Sequence, residues 1–421
     1  MNEKTRTKIT YGYGLFTILL ISRWSTGNTL FASPESLLRF GFSGGIVFAL
    51  AGCFSFFALI PLVQRVRTQT KHREFLPLLE ERLTERAFLW TKRIMVLAVY
   101  FGMIGIGLAV GLLLYAIFYI PVPIGVALFF LFGWLLVVIG NLEWFTNFNV
   151  MKVGLLLLLM VMMLIHAFLF DGTEPVYKGV RLYHPYLFFI EFDQILPLLT
   201  AFWLAILGNM LMDGKMWGVL LKANKTRFRR GLFITGLVWT TIPFGFTMMV
   251  LASIYKGGFD SIFTVFEKML HRYDSWPITT ILFFVLFVIL LDTFWTQVRS
   301  LHMLKGAVLP KKVNQTLLLL VILLGVVPAI IYYQSITLLD LFFIFGSYYA
   351  STLPVFGFIF WRNQRVGLEG PIIVGVGTIV GWACYCVGMG YVSVIMAFMT
   401  AFGLMLVSVY GLKKGILFVG K

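Results

Sequence analysis

The sequence predicts an all-α integral membrane protein with about twelve transmembrane helices, and three observations lead to this fold class. Of the 421 residues, 60% are hydrophobic and only 12% are charged, and the mean hydropathy is +0.92. A transmembrane helix needs about 20 apolar residues, and twelve segments qualify. The longest polar connection, roughly residues 64–93, is too short to form a soluble domain with its own core.

The twelve segments follow one another with short connections between most of them. They centre on residues 12–36, 43–63, 94–119, 122–141, 150–170, 192–212, 231–255, 277–300, 314–333, 338–360, 371–390 and 393–412. The first is too long for a cleavable signal and lacks a small-residue cleavage site, so we expect it to remain in the chain. Cys53, Cys384 and Cys386 all lie in apolar segments, which favours packing roles over disulfides or a metal site.

The positions of lysine and arginine test this count, because cytoplasmic loops attract positive charge. With both termini cytoplasmic, the inner segments carry 27 of these residues and the outer loops carry six, and Arg23 is the remaining one. The net charge of +16 follows from this bias. Since the charges are spread over short loops and form no single basic face, nucleic acid is not an expected partner. We expect a multi-pass protein in a cell membrane, the cytoplasmic membrane of a bacterium, and the sequence leaves its oligomeric state open.

Interruptions in two segments predict an internal repeat. Residues 22–34 break the first segment with small and hydroxylated residues, a glycine and a proline, and segment six opens at Pro197. Transporters built from inverted repeats place unwound helices at matched positions. The spacing predicts one repeat over residues 1–170, a second over residues 192–360, and two further helices with a tail over residues 371–421. The alternative is that glycine and proline are ordinary in membrane helices.

Several stretches resemble the solute:sodium symporter family. They are residues 74–86 after the second segment, Gly140-Asn141-Leu142 followed by Asn149, residues 213–217, residues 222–225 and residues 229–231. The resemblance implies a LeuT-type fold and secondary transport of a small solute by alternating access. Family members usually carry an additional helix before the first core helix, so this chain resembles a shortened, divergent member.

The resemblance also implies where a sodium site would lie. Aligning Pro34 with the family's proline places Ser22 and Ser25 at the positions whose backbone carbonyls bind sodium. It places Asp292 and Thr293 at the positions of two hydroxyl ligands. Only Thr293 keeps its hydroxyl, so a sodium site of the family's kind is incomplete here.

Two full charges at bilayer depth gave the main functional hypothesis. Arg23 and Asp292 lie at similar depths, roughly 16 Å and 12 Å along their helices at about 1.5 Å per residue, and a buried guanidinium needs an anion because it stays charged. We expect Arg23 to take the position of sodium and to pair with Asp292, which would make transport independent of sodium. The alternatives are separate roles for the two residues, pairing of Asp292 with Arg299, or an error in helix register.

Polar and aromatic side chains near these breaks are candidates for substrate binding, because small-molecule sites combine an apolar wall with a few polar groups. On the first segment they are Thr26, Asn28 and Thr29, on segment six Trp203 and Asn209, and on segment eight Trp295 and Gln297.

Motifs typical of enzymes are absent from the sequence, including metalloprotease, nucleotide-binding and serine-hydrolase signatures. We therefore expect no enzyme activity and no cofactor, and the coupling ion is left open between proton, sodium and none. The alternative to a transporter is a ligand sensor or a scaffold that derives from a symporter but does not transport.

Overall fold

The computed structural model describes residues 11–413 except 71–73, 140–148, 171, 225–226, 255–256, 258–266, 269–275, 305–326, 328–329, 331–335 and 362–364. The described chain is helical. Its first seven helices are α1 (Tyr13–Trp24), α2 (Ser33–Gln69), α3 (Phe75–Arg82), α4 (Glu85–Phe118), α5 (Val122–Ile139), α6 (Asn149–Phe170) and α7 (Thr173–Tyr183). The next seven are α8 (Phe192–Met212), α9 (Gly214–Lys222), α10 (Phe228–Ser253), α11 (Trp276–Leu304), α12 (Leu338–Trp361), α13 (Glu369–Cys386) and α14 (Val392–Lys413).

The helices agree with eleven of the twelve predicted segments. Eight helical stretches are long and apolar enough to cross a membrane, and three shorter apolar helices lie in α1, α5 and α6. The ninth predicted segment, residues 314–333, lies outside the described residues except for Val327 and Ile330. Many large apolar side chains on these helices point outward, among them Leu158, Met162 and Ile379, which are 56%, 61% and 65% exposed. Such a surface suits lipid, and the chain is a multi-pass membrane protein.

The first predicted segment is interrupted where the sequence indicated. Helix α1 ends at Trp24, a single π-helical stretch covers Asn28–Ala32, and α2 then begins with Pro34 in its first turn. A second interruption lies at Phe40 and Gly41, where Gly41 has a φ of 69°. Glycine adopts this left-handed conformation without steric cost, so the chain turns there between the first and second segments.

The interruption expected at Pro197 is not present. Pro197 lies in the second turn of α8, which continues as one helix from Phe192 to Met212. Proline is tolerated in membrane helices because neighbouring groups satisfy the freed carbonyls. The chain instead breaks after Met212, where Asp213 caps the short helix α9 by accepting hydrogen bonds from the backbone N–H groups of Lys215 and Met216.

Helix packing separates the molecule into groups. Helix α2 packs against α10 and α8, and α1 packs against α10, α6 and α9. Helix α4 packs against α5 and α11. Helix α12 lies against α8, and the last two helices, α13 and α14, pack on α12 and on each other. The two interruptions, after α1 and after α8, therefore lie where these groups meet.

Candidate functional site

A cavity of about 660 Å³ lies between the two helix interruptions. Its inner wall includes Thr26 and Gly27 from the first break, Asn209 from α8 and Tyr349 from α12. It extends toward Glu74 and Lys222, at the end of the molecule where α1 begins, which we call the N-terminal face. The volume is of the size that holds a small organic molecule.

The opposite face is closed above this cavity. The Arg39 guanidinium donates to the Asp340 carboxylate at 2.7 Å, and the Tyr385 hydroxyl donates to the same oxygen at 2.8 Å. Below this pair, the rings of Phe48, Phe202 and Phe342 pack with centroid distances of 5.1 to 5.5 Å. The described molecule therefore has a cavity that reaches one face and a closed contact at the other.

A buried lysine lies at the place where the resemblance put the sodium ion. The Lys152 Nζ donates to the Ser22 carbonyl oxygen at 3.1 Å and to Asp292 Oδ2 at 2.7 Å. The side chain of Lys152 is 2% exposed and that of Asp292 is 10% exposed. The last carbonyls of a helix lack partners within the helix and carry partial negative charge, so the end of α1 favours a cation here.

A second ion pair lies beside the first. The Arg23 Nε donates to Asp213 Oδ2 at 2.6 Å, and the two side chains are 14% and 7% exposed. Because Oδ1 of Asp213 accepts the backbone N–H groups that begin α9, one carboxylate both caps α9 and neutralises Arg23. This arrangement fixes the end of α1 against the α8–α9 break.

The predicted pair of Arg23 with Asp292 is therefore wrong. Each residue is buried and paired as expected, but Arg23 binds Asp213 and Asp292 binds Lys152. Depth along a helix does not determine the direction in which a side chain points, and the sequence argument compared only two helices. It included neither Lys152, which was counted among the basic residues of the cytoplasmic side, nor Asp213, which was named only within the family resemblance.

The hydroxyl groups of Ser25 and Thr293 donate to carbonyl oxygens one turn earlier in the chain. Ser25 Oγ donates to the Ile21 carbonyl at 2.8 Å, and Thr293 Oγ1 donates to the Ile289 carbonyl at 2.8 Å. Ser22 contributes its backbone oxygen to Lys152, as above. Within the described residues, no three His, Cys, Asp or Glu side chains come together as a metal-binding group.

Four of the seven candidate substrate residues line the cavity or its extension. Thr26, Asn209 and Gln297 line the main cavity. Thr29 lines a smaller adjoining cavity and donates to the Trp24 carbonyl at 2.7 Å.

Of the remaining three, two are not part of the main cavity wall and the side chain of the third is not described. Trp295 lines a side cavity beside Lys152 and Asp292 and is absent from the wall of the main one. Trp203 lines none of the described cavities, because its position on α8 is turned away from the face that carries Asn209. The side chain of Asn28 lies outside the described part of the chain.

Two further cations of the cavity wall, Lys215 and Arg299, were not predicted site residues, although Arg299 was an alternative partner for Asp292. Lys215 Nζ donates to the Thr296 carbonyl at 2.9 Å. Lys215 lies on α9, which is too short to span a membrane. Burial, together with the positive charge of Arg23, lowers the pKa of the Lys215 ammonium to about 7. Arg299, on α11, lines the same cavity.

Sequence reasoning missed Lys152, Asp213 and Lys215 as site residues. All three lie within a turn of a predicted helix end, where charged residues usually face water. One signal was available for Lys152: it is the single charge within an apolar segment whose neighbouring residues are hydrophobic. Asp213 and Lys215 belong to a stretch that resembles a family motif, but this resemblance identified no partner for either residue.

Comparison with known proteins connects this fold to transporters. No protein-family model matches the chain, and no curated protein matches it in sequence. Among solved structures, the chain is similar to a Na⁺-coupled sialic acid symporter in a substrate-bound, outward-open state, with a TM-score of 0.65 and 13% identity over 93% of this chain and 88% of the symporter. It is also similar to a manganese transporter of Eremococcus coleocola, with a TM-score of 0.52 and 12% identity over 98% and 97% of the two chains. This chain has a helical, membrane-spanning transporter fold.

Proposed function

We propose that the protein is a secondary transporter that moves a small organic solute by alternating access and does not require sodium. Independence of sodium is supported by the position of Lys152, whose ammonium donates hydrogen bonds to the Ser22 carbonyl and the Asp292 carboxylate. The resemblance to symporters implies a sodium site at these two residues. A cation that is covalently attached to α6 thus replaces the dissolved one.

Simple electrostatics supports this replacement. A sodium ion and an ammonium group carry the same charge, and both bind oxygen atoms. For sodium to bind, it would have to displace a side chain that is 2% exposed and leave that ammonium without a counter-ion. Breaking a buried pair in this way costs about 3–5 kcal/mol, which disfavours sodium at this position.

Alternating access is supported by the arrangement of helices around the cavity. Helices α1, α2, α8 and α10 pack together on one side, and α4, α5 and α11 pack together on the other. We propose that the first group rocks against the second about the cavity, and that the two groups derive from a five-plus-five inverted repeat over residues 1–170 and 192–360. The cavity opens at the N-terminal face while the Arg39–Asp340 contact closes the other.

Solute counterflow tests transport directly. Purified protein would be reconstituted into liposomes that are preloaded with a solute found by binding, and entry of the labelled solute would be measured. We expect saturable exchange that heat-inactivated protein lacks. Saturable binding without counterflow would contradict transport and favour the sensor.

The sodium prediction is tested by substituting Lys152. In the wild type, thermal stability and counterflow should be the same in sodium chloride and in choline chloride at equal ionic strength. In K152A, Asp292 loses its counter-ion, so sodium should stabilise the protein and become necessary for uptake, since a ligand that binds the folded state raises its stability.

The matched control is K178A, because Lys178 forms an exposed pair with Glu174 and lines none of the described cavities. It should behave as the wild type in both salts. A rise of wild-type stability or uptake that is specific to sodium would contradict the proposal, even if K152A fails to fold.

A further inference from the structure

The charges in the cavity wall are unequal in sign. The main cavity is lined by four cations, Arg23, Lys215, Lys222 and Arg299, and by two carboxylates, Glu74 and Asp213. The side cavity adds Lys152 and Asp292, which neutralise each other. The Arg23–Asp213 and Lys152–Asp292 pairs are each neutral. The remaining charged residues of the described walls are the cations Lys215, Lys222 and Arg299 and the carboxylate Glu74.

Three cations of the cavity wall have unused capacity to donate hydrogen bonds. Lys215 donates to a neutral backbone carbonyl, that of Thr296, and to no carboxylate in the described structure. Arg299 forms no ion pair with any described residue. Arg23 uses its Nε for Asp213, which leaves its two terminal nitrogens without a hydrogen bond in the described part of the chain.

Burial makes this excess costly unless an anion is present. Lys215 loses enough solvation that its pKa falls to about 7, and charged groups near a cavity interact more strongly than in bulk water. A carboxylate or phosphate beside Lys215 and Arg299 would make charge-assisted hydrogen bonds, which are about twice as strong as neutral ones. The polar groups of Thr26, Asn209 and Gln297 are available for the uncharged part of the same molecule.

We infer that the cavity binds a small organic anion, with its acidic group between Lys215 and Arg299 and the rest of the molecule toward the break after α1. This inference rests on the proposed transport function, for which it names the class of solute. The charge bias of cytoplasmic loops alone does not explain Lys215, because this residue lies in the cavity wall and is hydrogen-bonded to α11.

A binding screen with matched compounds tests the inference. Purified protein would be titrated with carboxylates and their amides (benzoate and benzamide, succinate and succinamide), with sugar phosphates and the parent sugars, and with an amine of similar size. We expect stabilisation by members of the acidic series and none by the amides, the parent sugars or the amine. The phosphate arm decides which acidic group is preferred.

Substitution links binding to the named residues. K215Q and R299Q should each weaken binding of the best acidic compound by about tenfold, the effect of losing one charge-assisted hydrogen bond. The control R229Q removes an exposed positive charge from the same face but outside the cavity, and its affinity should be unchanged.

Several outcomes would overturn the inference. They are equal binding of acids and amides, binding of only neutral or cationic compounds, no binding of any acid, or acid binding that K215Q and R299Q leave intact. Its failure is distinguishable from failure of transport. Counterflow of a neutral solute would contradict the anion inference but support transport. Binding of an anion without counterflow would support the anion inference but contradict transport.

Discussion

At the scale of single residues, the site depends on which buried charges meet. Arg23 and Asp292 could be recognised from the sequence because both lie deep in apolar segments, where a charge needs a partner or a wet cavity. Their partners, Asp213 and Lys152, lie near helix ends, where charged residues are usually exposed to water at the membrane surface. The presence of buried ion pairs was therefore predictable, but the identity of the pairs was not.

The pH dependence of anion binding is a prediction at this scale. The pKa of Lys215 in the free protein is lowered to about 7 by burial and by Arg23, with Arg299 acting in the same direction and Asp213 and Asp292 opposing it. An anion beside Lys215 favours the ammonium form and raises that pKa. Affinity should therefore be highest below pH 7 and fall as the pH rises above it, with proton uptake on binding.

Calorimetric titration in buffers of different ionisation enthalpy measures this proton uptake. At pH 8, wild-type protein should take up part of a proton when the acidic compound binds. K215R, whose guanidinium stays charged, should bind without proton uptake and with a flatter pH profile. The same pH profile in K215R and wild type would show that another group is responsible.

At the scale of helices, close packing holds the cavity wall. A Cβ atom added to Gly208 on α8 would lie 2.1 Å from the backbone oxygen of Tyr349 on α12, and backbone cannot yield as a flexible side chain can. The same two helices contribute Asn209 and Tyr349 to the cavity. The geometry of the site thus depends on the absence of a side chain at one position.

Substitution of Gly208 by alanine tests this contact. G208A should lower the free energy of unfolding by about 1–3 kcal/mol, the usual cost of overpacking, and reduce the melting temperature in detergent. The matched control is G357A on α12, where nothing lies within 4 Å of the added Cβ. Because alanine favours helix more than glycine does, G357A should be neutral or slightly stabilising, and equal melting of both variants would contradict the packing argument.

At the scale of the whole molecule, the proposed alternating access requires a second arrangement that is open at the other face. The pair of Arg39 on α2 with Asp340 on α12 joins helices at the closed face, and its side chains are 44% and 18% exposed. Loss of a contact that is made only in one state shifts the population toward the other. The contact is therefore a point at which the balance between the two states can be altered.

Substitution of Arg39 by glutamine should increase the fraction open at this face. Since exposed ion pairs contribute about 0.2–1 kcal/mol, we expect T26C to react about 1.4 to 5 times faster with an impermeant thiol reagent added from that side, in a background with Cys384 and Cys386 replaced by serine. K178Q removes another exposed charge that pairs with Glu174 and should leave the rate unchanged. An unchanged or slower rate in R39Q would show that this pair does not hold the face closed.

The sequence by itself determined the class of protein and most of its helices. Apolar segments of membrane length and the break at residues 22–34 are local properties, since they depend on the hydrophobicity and backbone preferences of neighbouring residues. The membrane-spanning fold and eleven of the segments agree with the structure. The prediction of an interruption at Pro197 was wrong, because a proline near the start of a helix does not have to break that helix.

Tertiary structure alone decided the chemistry of the site. Lys152 meets Ser22 and Asp292 because three helices that are distant in sequence converge, and Asp213 reaches Arg23 because α8 ends one residue before it. Side-chain direction around a helix axis and helix crossing are set by packing of the entire bundle, which residue spacing does not encode. The need for a counter-ion at each buried charge thus follows from the sequence, whereas helix packing determines which residue is that counter-ion.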